Sequence, residues 1–548
     1  MTANGSSSSA TARAERAGAL AVPLGGSDLL PPIPAALLAG RDRDLLAPLA
    51  FLPPGEIVPR PRPGPPPDRR ELASALARAN RAYGHPRADE LARRLADPAA
   101  RVVVAGQQPG LLGGPLYTFS KAVAVARWAA ALAERGEPAV GVFWVATDDH
   151  DFREVARATV LTPEGPKSFD LGADPAPLTP LGARTLGPAV ADVLAGIAAA
   201  VPGERYAAWL ETLGRWYRPE ARFGEAFCRL LVHLLGERCP LLLDAMDPGV
   251  KAAERPWLER LVERREAVEE ASAAADRAIE ARGHPLQVHP QRGAAPLFLL
   301  HAGARRRIEW THGGYALRGA GGAGGAVAEL LAIVRDNPAV VSPGALARPA
   351  VQDAILGTDL FLVGPGELSY LPQAAPLYRV LEVAAPAAAL RPQALVLESR
   401  EVDQLAELGL SLGQLLGARA ALDRVLAARA DGDPVSGPRQ RIAAALDEIA
   451  GPALVLDPNL ASPWQKTREQ IERALERFAD RAAAAAARRD QVRAGRVERL
   501  RDALLPGGTL QERVVSTAHY PGKHGERFAD AYFEQLELDG GTLQVVTP

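Results

Sequence analysis

The sequence predicts an α/β fold in which a parallel β-sheet core precedes a helical C-terminal region. Two short apolar runs, 102–105 and 139–146, have the composition of strands that are buried on both faces. A segment with helical character, 117–132, lies between them, and a strand, a helix and a second strand in this order form a right-handed βαβ unit. Beyond about residue 400 the composition becomes typical of long helices.

Length and composition limit the class of protein. A chain of 548 residues, with 47% hydrophobic and 23% charged residues, is expected to form two or three soluble domains. The net charge of −2 offers no positive surface for nucleic acid or an anionic membrane, and no apolar run is long enough to cross a bilayer. The two cysteines, Cys228 and Cys239, are typical of free thiols in a reducing compartment. We therefore expect a cytoplasmic protein without nucleic-acid or membrane partners.

The first 70 residues are expected to form a flexible N-terminal extension rich in serine and proline. Residues 1–28 have a disorder-like composition, and 53–70 have the composition of an extended polyproline connector. Between them, 29–52 carry enough leucines to dock on another part of the protein. The core is expected over 71–400, with helical insertions at about 185–290.

Further apolar runs bounded by turn residues predict additional strands of the same parallel sheet. They are 240–245, 296–303 and 359–367. Residues 266–282 have the spacing of a helix, whereas the glycine-rich segment 314–326 predicts a flexible turn or loop.

A helical coiled-coil hairpin is expected over 401–505. Apolar residues recur at three- and four-residue steps from Ile471 to Val492, and after a shift they continue to Leu504. A helix over 464–505 would be about 60 Å long and needs a partner to bury its apolar stripe. Residues 439–450 are the expected antiparallel partner; a dimer contact and a hairpin that packs on its own core are both compatible with this pattern. Residues 506–548 are expected to return to the core.

Three predicted strands end in residues suited to ligand binding. Ligands of an open parallel sheet bind beyond the carboxyl ends of its strands. The first strand runs into GQQPGLLGG, starting at Gly106, which offers amides and backbone N–H groups to an anion, and Lys121 follows in the helix. The second ends in Asp148–Asp151, three aspartates and a histidine. The loop that starts at Gly364 follows a third strand, so we expect all three loops at one rim around a single cavity.

Each of these patterns also has a structural interpretation. Glycines after a strand often form only a turn, and the first loop matches neither a dinucleotide-binding nor a Walker sequence. Asp148–Asp151 could cap a helix that continues through Glu154. Aspartate and histidine suit magnesium, manganese or zinc, but no paired ligand spacing accompanies them, and we assign no metal.

Four segments together resemble the cysteine ligase family of bacillithiol biosynthesis. They are GQQPGLLGGPLYTFSKA (106–122), FWVATDDHDFREV (143–155), SPGALARPAVQD (342–353) and VGPGELSY (363–370). Shorter matches are QVH at 287–289, LLLDAMDP at 241–248, and TLQERV and GKHGERF near the C-terminus. The resemblance extends from about residue 70 to the end of the chain.

The resemblance implies a Rossmann-like core with inserted connecting segments, followed by an α-helical coiled coil that promotes a homodimer. It implies a ligase that forms an amide bond between the carboxyl group of cysteine and the amine of glucosaminyl-malate, giving bacillithiol. The activating cosubstrate stays unknown: ATP is one option, although the signature lysine loop of class I nucleotidyl-transferring folds has no clear match. Two alternatives remain, a nucleotide- or thiol-binding sensor without catalysis and a class I-like adenylyltransferase that acts on another amine.

The predicted site residues come from the three strand-end loops and the following helices. The catalytic candidates are Asp149, His150 and Asp151, with His150 or Asp151 as the general base. The candidates for substrate binding are Gly106, Gln107, Gln108, Gly110, Tyr117, Lys121, Asp148, Gly364, Gly366, Glu367 and Tyr370.

Overall fold

The computed structural model describes residues 20–56, 64–289, 291, 293–430, 436–489 and 491–548. The chain divides into two compact units. The larger unit comprises 23–397 and 509–548, and the smaller comprises 398–508 together with the described residues up to 22.

A six-stranded parallel sheet forms the centre of the larger unit. Its strands are β1 (Ala50–Phe51), β2 (Arg101–Gln107), β3 (Ala139–Val145), β4 (Leu241–Asp244), β5 (Leu360–Val363) and β6 (Ala387–Leu390). Their spatial order is β1-β6-β5-β2-β3-β4, and every neighbouring pair is parallel. The sheet confirms the α/β prediction and four of the predicted strands.

Helices cover both faces of this sheet because its strands alternate apolar side chains to each side. Val102 and Val104 of β2 pack with Leu76, whereas Val103 packs with Trp128 on the opposite face. Four helices matter for the site: α1 (Leu116–Glu134), α2 (Arg265–Ala281), α3 (Arg348–Leu356) and α4 (Pro365–Ala374). The other helices of the larger unit are Pro32–Leu38, Arg70–Tyr83, Ala88–Ala96, Phe152–Val155, Ala189–Ala200, Glu204–Gly214, Phe223–Leu235, Pro248–Glu263, Val327–Asp336, Pro376–Leu381, Gln511–Val514, His519–His524 and Arg527–Gln535.

The predicted strand at 296–303 does not join the parallel sheet. It lies in a separate antiparallel sheet, whose strands in spatial order are Gly324–Ala326, Gly314–Leu317, Ala304–Thr311, Ala294–His301 and Val341–Pro343. The prediction of a flexible loop over 314–326 is also wrong, because two of these strands lie there. Glycine allows these two strands to pair closely. A Cβ atom at Gly324 would lie only 2.2 Å from the carbonyl oxygen of Tyr315 and would clash with it.

Residues 20–56 differ from the flexible extension that the sequence predicts for 1–70. Helix Pro32–Leu38 buries Leu37 completely, and Leu46 is equally inaccessible. β1 then joins the main sheet beside β6. The docking expected of the leucines at 29–52 is therefore confirmed, because their burial gives this segment a fixed position. The predictions for 1–19 and 57–63 lie outside the described residues.

The C-terminal segment of the larger unit pairs with a strand that follows the main sheet. Strand Thr542–Val546 runs parallel to Gln393–Val396. Two further strands, Arg157–Thr162 and Gly165–Asp170, form an antiparallel hairpin. Among the described residues, no helix is long and apolar enough to span a membrane.

The smaller unit is helical. Its helices are Ser399–Leu408, Leu412–Leu416, Arg419–Ala430, Ser436–Leu456, Ala461–Arg489 and Gln491–Leu504. The predicted antiparallel hairpin is present, with a turn at 457–460, and Arg468 forms an ion pair with Asp447 across it. Arg424 of the helix Arg419–Ala430 pairs with Asp480 of the second hairpin helix.

The apolar stripe of the hairpin is buried only in part. Val497 and Leu504 are buried as predicted, but Phe478 is 62% exposed and Val492 is 71% exposed. Alanines such as Ala479 occupy the helix contact instead. Small side chains at the contact allow the helices to approach closely, and the larger apolar residues then lie outside it.

Candidate active site

One cavity opens at the carboxyl edge of the parallel sheet. It is lined by residues that end or follow three neighbouring strands: Gly106 to Gln108 at β2, Asp148 to His150 after β3, and Gly364 to Glu367 after β5. Its volume is about 1070 Å³. The expectation that the three loops share one rim is confirmed, since parallel neighbouring strands bring their carboxyl ends to the same edge.

Most of the predicted site residues line this cavity. They are Gly106, Gln107, Gln108, Tyr117, Lys121, Asp148, Asp149, His150, Gly364, Gly366, Glu367 and Tyr370. All of them belong to the larger unit.

Gly110 and Asp151 are not among the lining residues. A Cβ atom at Gly110 would lie 2.5 Å from the Cα atom of Gly114, so this glycine permits the loop to fold tightly on itself. Its N–H already donates to the carbonyl oxygen of Gln108. Asp151 is exposed and accepts a hydrogen bond from the N–H of Glu154 at 3.2 Å, which is the helix-capping role. The structure therefore places neither residue on the cavity wall and gives each of them a structural role.

Lys121 of α1 lies at the centre of the cavity wall and is only 2% exposed. Its ammonium group donates to the carbonyl oxygen of Gly106 at 2.7 Å, to Oε1 of Gln107 at 3.0 Å, and to the carboxylate of Glu367. An ammonium group has three hydrogens, and these three acceptors use all of them.

Burial lowers the pKa of Lys121, while the charge of Glu367 opposes that effect. For Glu367, burial alone would raise the pKa, but the positive charges of Lys121 and Arg348 outweigh it and hold the pKa below its usual value. Glu367 is therefore ionised, and its carboxylate also accepts the N–H of Gly364 at 3.0 Å. The pair fixes α1 against the loop that follows β5.

The two glutamines of the first loop connect Lys121 to the carboxylates of the second. Gln107 accepts from Lys121 and donates through Nε2 to Oε1 of Gln108 at 3.1 Å and to the Tyr117 hydroxyl at 3.2 Å. Nε2 of Gln108 donates at 2.8 Å to both Asp149 and Glu154. Both hydrogens of this amide are thus used, and it holds the two carboxylates apart in fixed positions.

Glu154 is a cavity residue that was expected only to continue a capped helix. Much of its side chain is accessible from the cavity, yet the protein atoms around the carboxyl group limit its solvation and raise its pKa. The hydrogen bond from Gln108 opposes this shift, and the negative charges of Asp151 and Asp149 add to it. A carboxyl group with a raised pKa is a better proton acceptor at neutral pH than an ordinary one.

The antiparallel sheet contributes a second wall, formed by Phe298, Arg305, Arg307 and Trp310. Arg305 donates to Ser342 Oγ at 2.8 Å and to the carbonyl oxygen of Pro343 at 2.9 Å. Its guanidinium carbon lies 3.8 Å from the centre of the Phe298 ring, a cation–π contact.

Two further arginines approach the cavity beside Glu367. Arg348 of α3 donates to Gln352 at 2.7 Å and to the Tyr370 hydroxyl at 3.2 Å. Arg391 forms a bidentate ion pair with Glu512, at 2.6 and 3.0 Å. Its Nε atom is buried and has no hydrogen-bond partner among the described residues.

Asp148 connects the cavity to a buried ion pair behind it. Lys251 lies 3.8 Å from Asp148 and 2.9 Å from Glu254, which is fully buried. Burial raises the pKa of Glu254 to about 7. Among the described residues, no group of three or more histidine, cysteine, aspartate or glutamate side chains is placed to hold a metal ion.

Comparison with known proteins assigns the chain to a family. Residues 60–392 match the family described as bacillithiol biosynthesis BshC, N-terminal Rossmann-like domain. Residues 394–547 match its C-terminal coiled-coil domain. The chain belongs to the BshC family.

Relatives of this BshC-family protein match most of its length. One from Thermus thermophilus is 34% identical, covering 86% of this chain and 93% of the relative, and one from Solibacter usitatus is 30% identical, covering 86% and 88%. Both carry the name "Putative cysteine ligase BshC". A solved structure titled as a putative arginyl-tRNA synthetase from Campylobacter jejuni aligns with 11% identity over 86% of this chain and 98% of that one, at a TM-score of 0.26, which is too low to support any conclusion.

Some cavity residues of this BshC-family protein lie in recognisable sequence motifs, and others do not. Glu154 and Arg348 lie inside the motifs that carry the family resemblance, so attention to every polar residue of those motifs would have found them. Arg305 lies in a run of three arginines with no local signal, because its place at the cavity depends on the antiparallel sheet.

Proposed function

We propose that this BshC-family protein joins the carboxyl group of cysteine to the amine of glucosaminyl-malate to form bacillithiol. The relatives named as cysteine ligases motivate the reaction class. The observation that carries the proposal is the pair Gln107 and Gln108, which link a buried cation to two carboxylates inside one cavity. Such a site can bind anionic groups and accept a proton in the same enclosure.

The amine of the sugar must lose a proton as it adds to a carbonyl carbon. We assign this proton to the carboxylates that Gln108 holds, and Glu154 is the better acceptor because of its raised pKa. Asp149 shares the same amide and helps to position the amine. His150 lines the cavity beside them, and we assign Asp151 no catalytic role because its side chain caps a helix.

The carboxyl group of cysteine requires activation, because amide formation from a free carboxylate in water is unfavourable. A nucleoside triphosphate such as ATP would supply an acyl phosphate or an acyl adenylate. A typical ligand pocket has a volume of roughly 300–1,000 Å³. The cavity of about 1070 Å³ lies at the upper end of this range, and its arginine side chains suit phosphate groups.

The carboxylates of the malate group need donors that are not already used. Lys121 cannot supply them while its three hydrogens bind Gly106, Gln107 and Glu367, so we assign it the role of organising the wall. Arg307, which lines the cavity and whose guanidinium group makes only a 3.4 Å hydrogen bond to Gln291 among the described residues, is the proposed anion donor. Tyr117, Gly364, Gly366, Glu367 and Tyr370 form the remaining surface that positions the sugar or the cysteine.

The test is to incubate the full chain with cysteine, glucosaminyl-malate and ATP and to search for the condensed thiol by mass spectrometry. We expect the thiol from the wild type and a large loss in Glu154→Gln. Glu164→Gln, which changes an exposed carboxylate in a hairpin turn, is the matched control. Nucleotide binding without a product would favour the sensor, and pyrophosphate release with other amines would favour an adenylyltransferase.

We further propose a homodimer that forms through the helical hairpin of the smaller unit. Its support is the exposure of Ile449, Val455, Leu456 and Phe478, at 52%, 86%, 85% and 62%. Apolar side chains of this size are normally covered by a partner when they occur together. Sedimentation of the wild type should give twice the mass of the chain, and Val455→Glu with Phe478→Glu should give the monomer. A dimer that persists in the double variant would place the interface elsewhere.

A further inference from the structure

Arg305 of the antiparallel sheet contacts His150 of the parallel sheet. Its Nη1 atom lies 3.2 Å from Nδ1 of the imidazole, within hydrogen-bond distance. The two residues are 155 positions apart in the chain and both line the cavity. This contact joins the two walls at a residue that the sequence had suggested as a general base.

Arg305 has little freedom to move away from this position. The residue is only 7% exposed. Nε and Nη2 donate to Ser342 and Pro343, and Phe298 lies against the guanidinium plane. These two hydrogen bonds fix the plane of the guanidinium group, so that Nη1 faces His150 at 3.2 Å and Asp149 at 3.8 Å.

The contact determines which imidazole nitrogen carries the proton. A guanidinium group can only donate hydrogen bonds, so Nδ1 of His150 must be the acceptor and must be unprotonated. The proton of the neutral ring then resides on Nε2. Nε2 has no hydrogen-bond partner within the described part of the chain and is free to donate to a ligand.

The charges around His150 agree with a neutral ring. Burial lowers its pKa, and the positive charges of Arg305 and Arg307 act in the same direction. Asp149 and Asp151 oppose them but do not reverse the shift. A protonated ring would also place an N–H against the donor of Arg305, which is repulsive.

We propose that Arg305 is a positioning residue that holds His150 as the neutral Nε2–H tautomer, so that His150 acts as a hydrogen-bond donor to the reacting carbonyl oxygen and not as the general base. This inference rests on the proposed function. The amine nitrogen forms a bond to the acyl carbon of an activated cysteine, an acyl phosphate or acyl adenylate made with a nucleoside triphosphate. The carbonyl electrons move to oxygen, which accepts the hydrogen bond from Nε2. The ammonium proton passes to Glu154, and the carbonyl re-forms as phosphate or nucleoside monophosphate leaves.

The tautomer can be tested without any substrate. Long-range proton–nitrogen correlation spectra of the full chain labelled with 15N-histidine distinguish a protonated from an unprotonated ring nitrogen. His150→Gln identifies the signal of interest. We expect His150 to carry its proton on Nε2 and to stay neutral at and above pH 6.5, the ordinary pKa of histidine. A proton on Nδ1 in the wild type would overturn the inference.

Variants of Arg305 separate positioning from a merely structural role. Arg305→Met removes the donor and its charge, so the pKa of His150 should rise, and the share of the Nδ1–H tautomer should increase because Asp149 lies 3.7 Å from Nδ1 and can accept its proton. Arg305→Lys keeps a donor-only cation and should restore the tautomer in part. Arg306→Gln is the matched control on the same strand, because Arg306 donates instead to the carbonyl oxygens of Arg318 and Gly319. Unchanged tautomer and pKa in a folded Arg305→Met would also overturn the inference.

The activity assay then tests the chemical consequence. In Arg305→Met we expect kcat to fall about 100-fold with little change in KM, as when one donor to a developing oxyanion is lost. A change in KM alone would assign Arg305 to substrate binding and contradict the proposal. If the wild type makes no thiol, the proposed function fails, while the spectra still decide whether Arg305 sets the tautomer.

Discussion

The two walls of the cavity hold their polar side chains in different ways. At the edge of the parallel sheet, the Lys121 ammonium group and the Gln108 side-chain amide donate all their hydrogens to neighbouring residues. On the antiparallel sheet, Arg305 and Arg307 lie over the aromatic ring of Phe298. Polar groups that form hydrogen bonds with one another stabilise the fold. A cation that lies on an aromatic ring mainly contributes a positive charge to the cavity. We therefore expect variants of the first wall to affect stability as well as activity, and variants of the second to affect activity more than stability.

The largest effect is expected from Lys121→Met. This change removes the buried ammonium partner of the Glu367 carboxylate, which is 17% exposed and keeps Arg348 at 3.5 Å, so the cost should be about 3 kcal/mol, the lower end of the range for buried pairs. Urea denaturation should show this loss in the free energy of unfolding. Lys167→Met, at an exposed lysine, should stay within about 0.5 kcal/mol of the wild type. Equal stability of the two variants would contradict the role given to the first wall.

Glu154→Gln should reduce product formation about 100-fold, because it removes the proposed proton acceptor. The carboxyl group must be ionised to accept a proton and its pKa is raised, so the wild-type rate should fall as the pH decreases through a value above 4.3, the ordinary pKa of glutamate. That acid limb should be absent from the residual rate of the variant. An identical pH profile in the two proteins would assign the limb to another group.

Phe298→Leu should have a smaller effect on the rate of product formation. The ring supports Arg305 at 3.8 Å, and a cation–π contact contributes roughly 0.5–2 kcal/mol. This range corresponds to a rate loss of roughly 2- to 30-fold, without a matching loss in melting temperature beyond that of the missing ring. Phe533→Leu removes a comparable contact with Arg238, away from the cavity lining, and should leave the rate unchanged. A rate loss of the same size in that control would mean that the assay reports stability.

Asp151→Ala should have the smallest effect on activity. Asp151 caps a four-residue helix and is not a cavity residue, so the free energy of unfolding should fall by about 1 kcal/mol while product formation stays unchanged. The rate and the denaturation curve of the purified variant measure both. A rate loss as large as that of Glu154→Gln would restore Asp151 as a catalytic candidate.

The local sequence pattern was sufficient to predict the strands that are buried on both faces. Val102 to Val104 have the composition of a doubly buried strand and form one, and the same holds for Leu241 to Leu243. The strand at 296–303 shows the limit of this signal. An apolar run predicts that a strand is buried, but it does not predict which strands lie beside it. Here both neighbouring strands are antiparallel.

The sequence by itself determined the parallel core, the three strand-end loops and the family resemblance, because strand burial and short motifs are properties of consecutive residues. Only the tertiary structure decided which polar groups act together. It moved Asp151 from the site to a helix cap, added Glu154 through the amide of Gln108, and brought Arg305 to His150 from another sheet. Hydrogen-bond partners must lie about 3 Å apart in space, and residues that are far apart in the sequence can meet this condition only once the chain has folded.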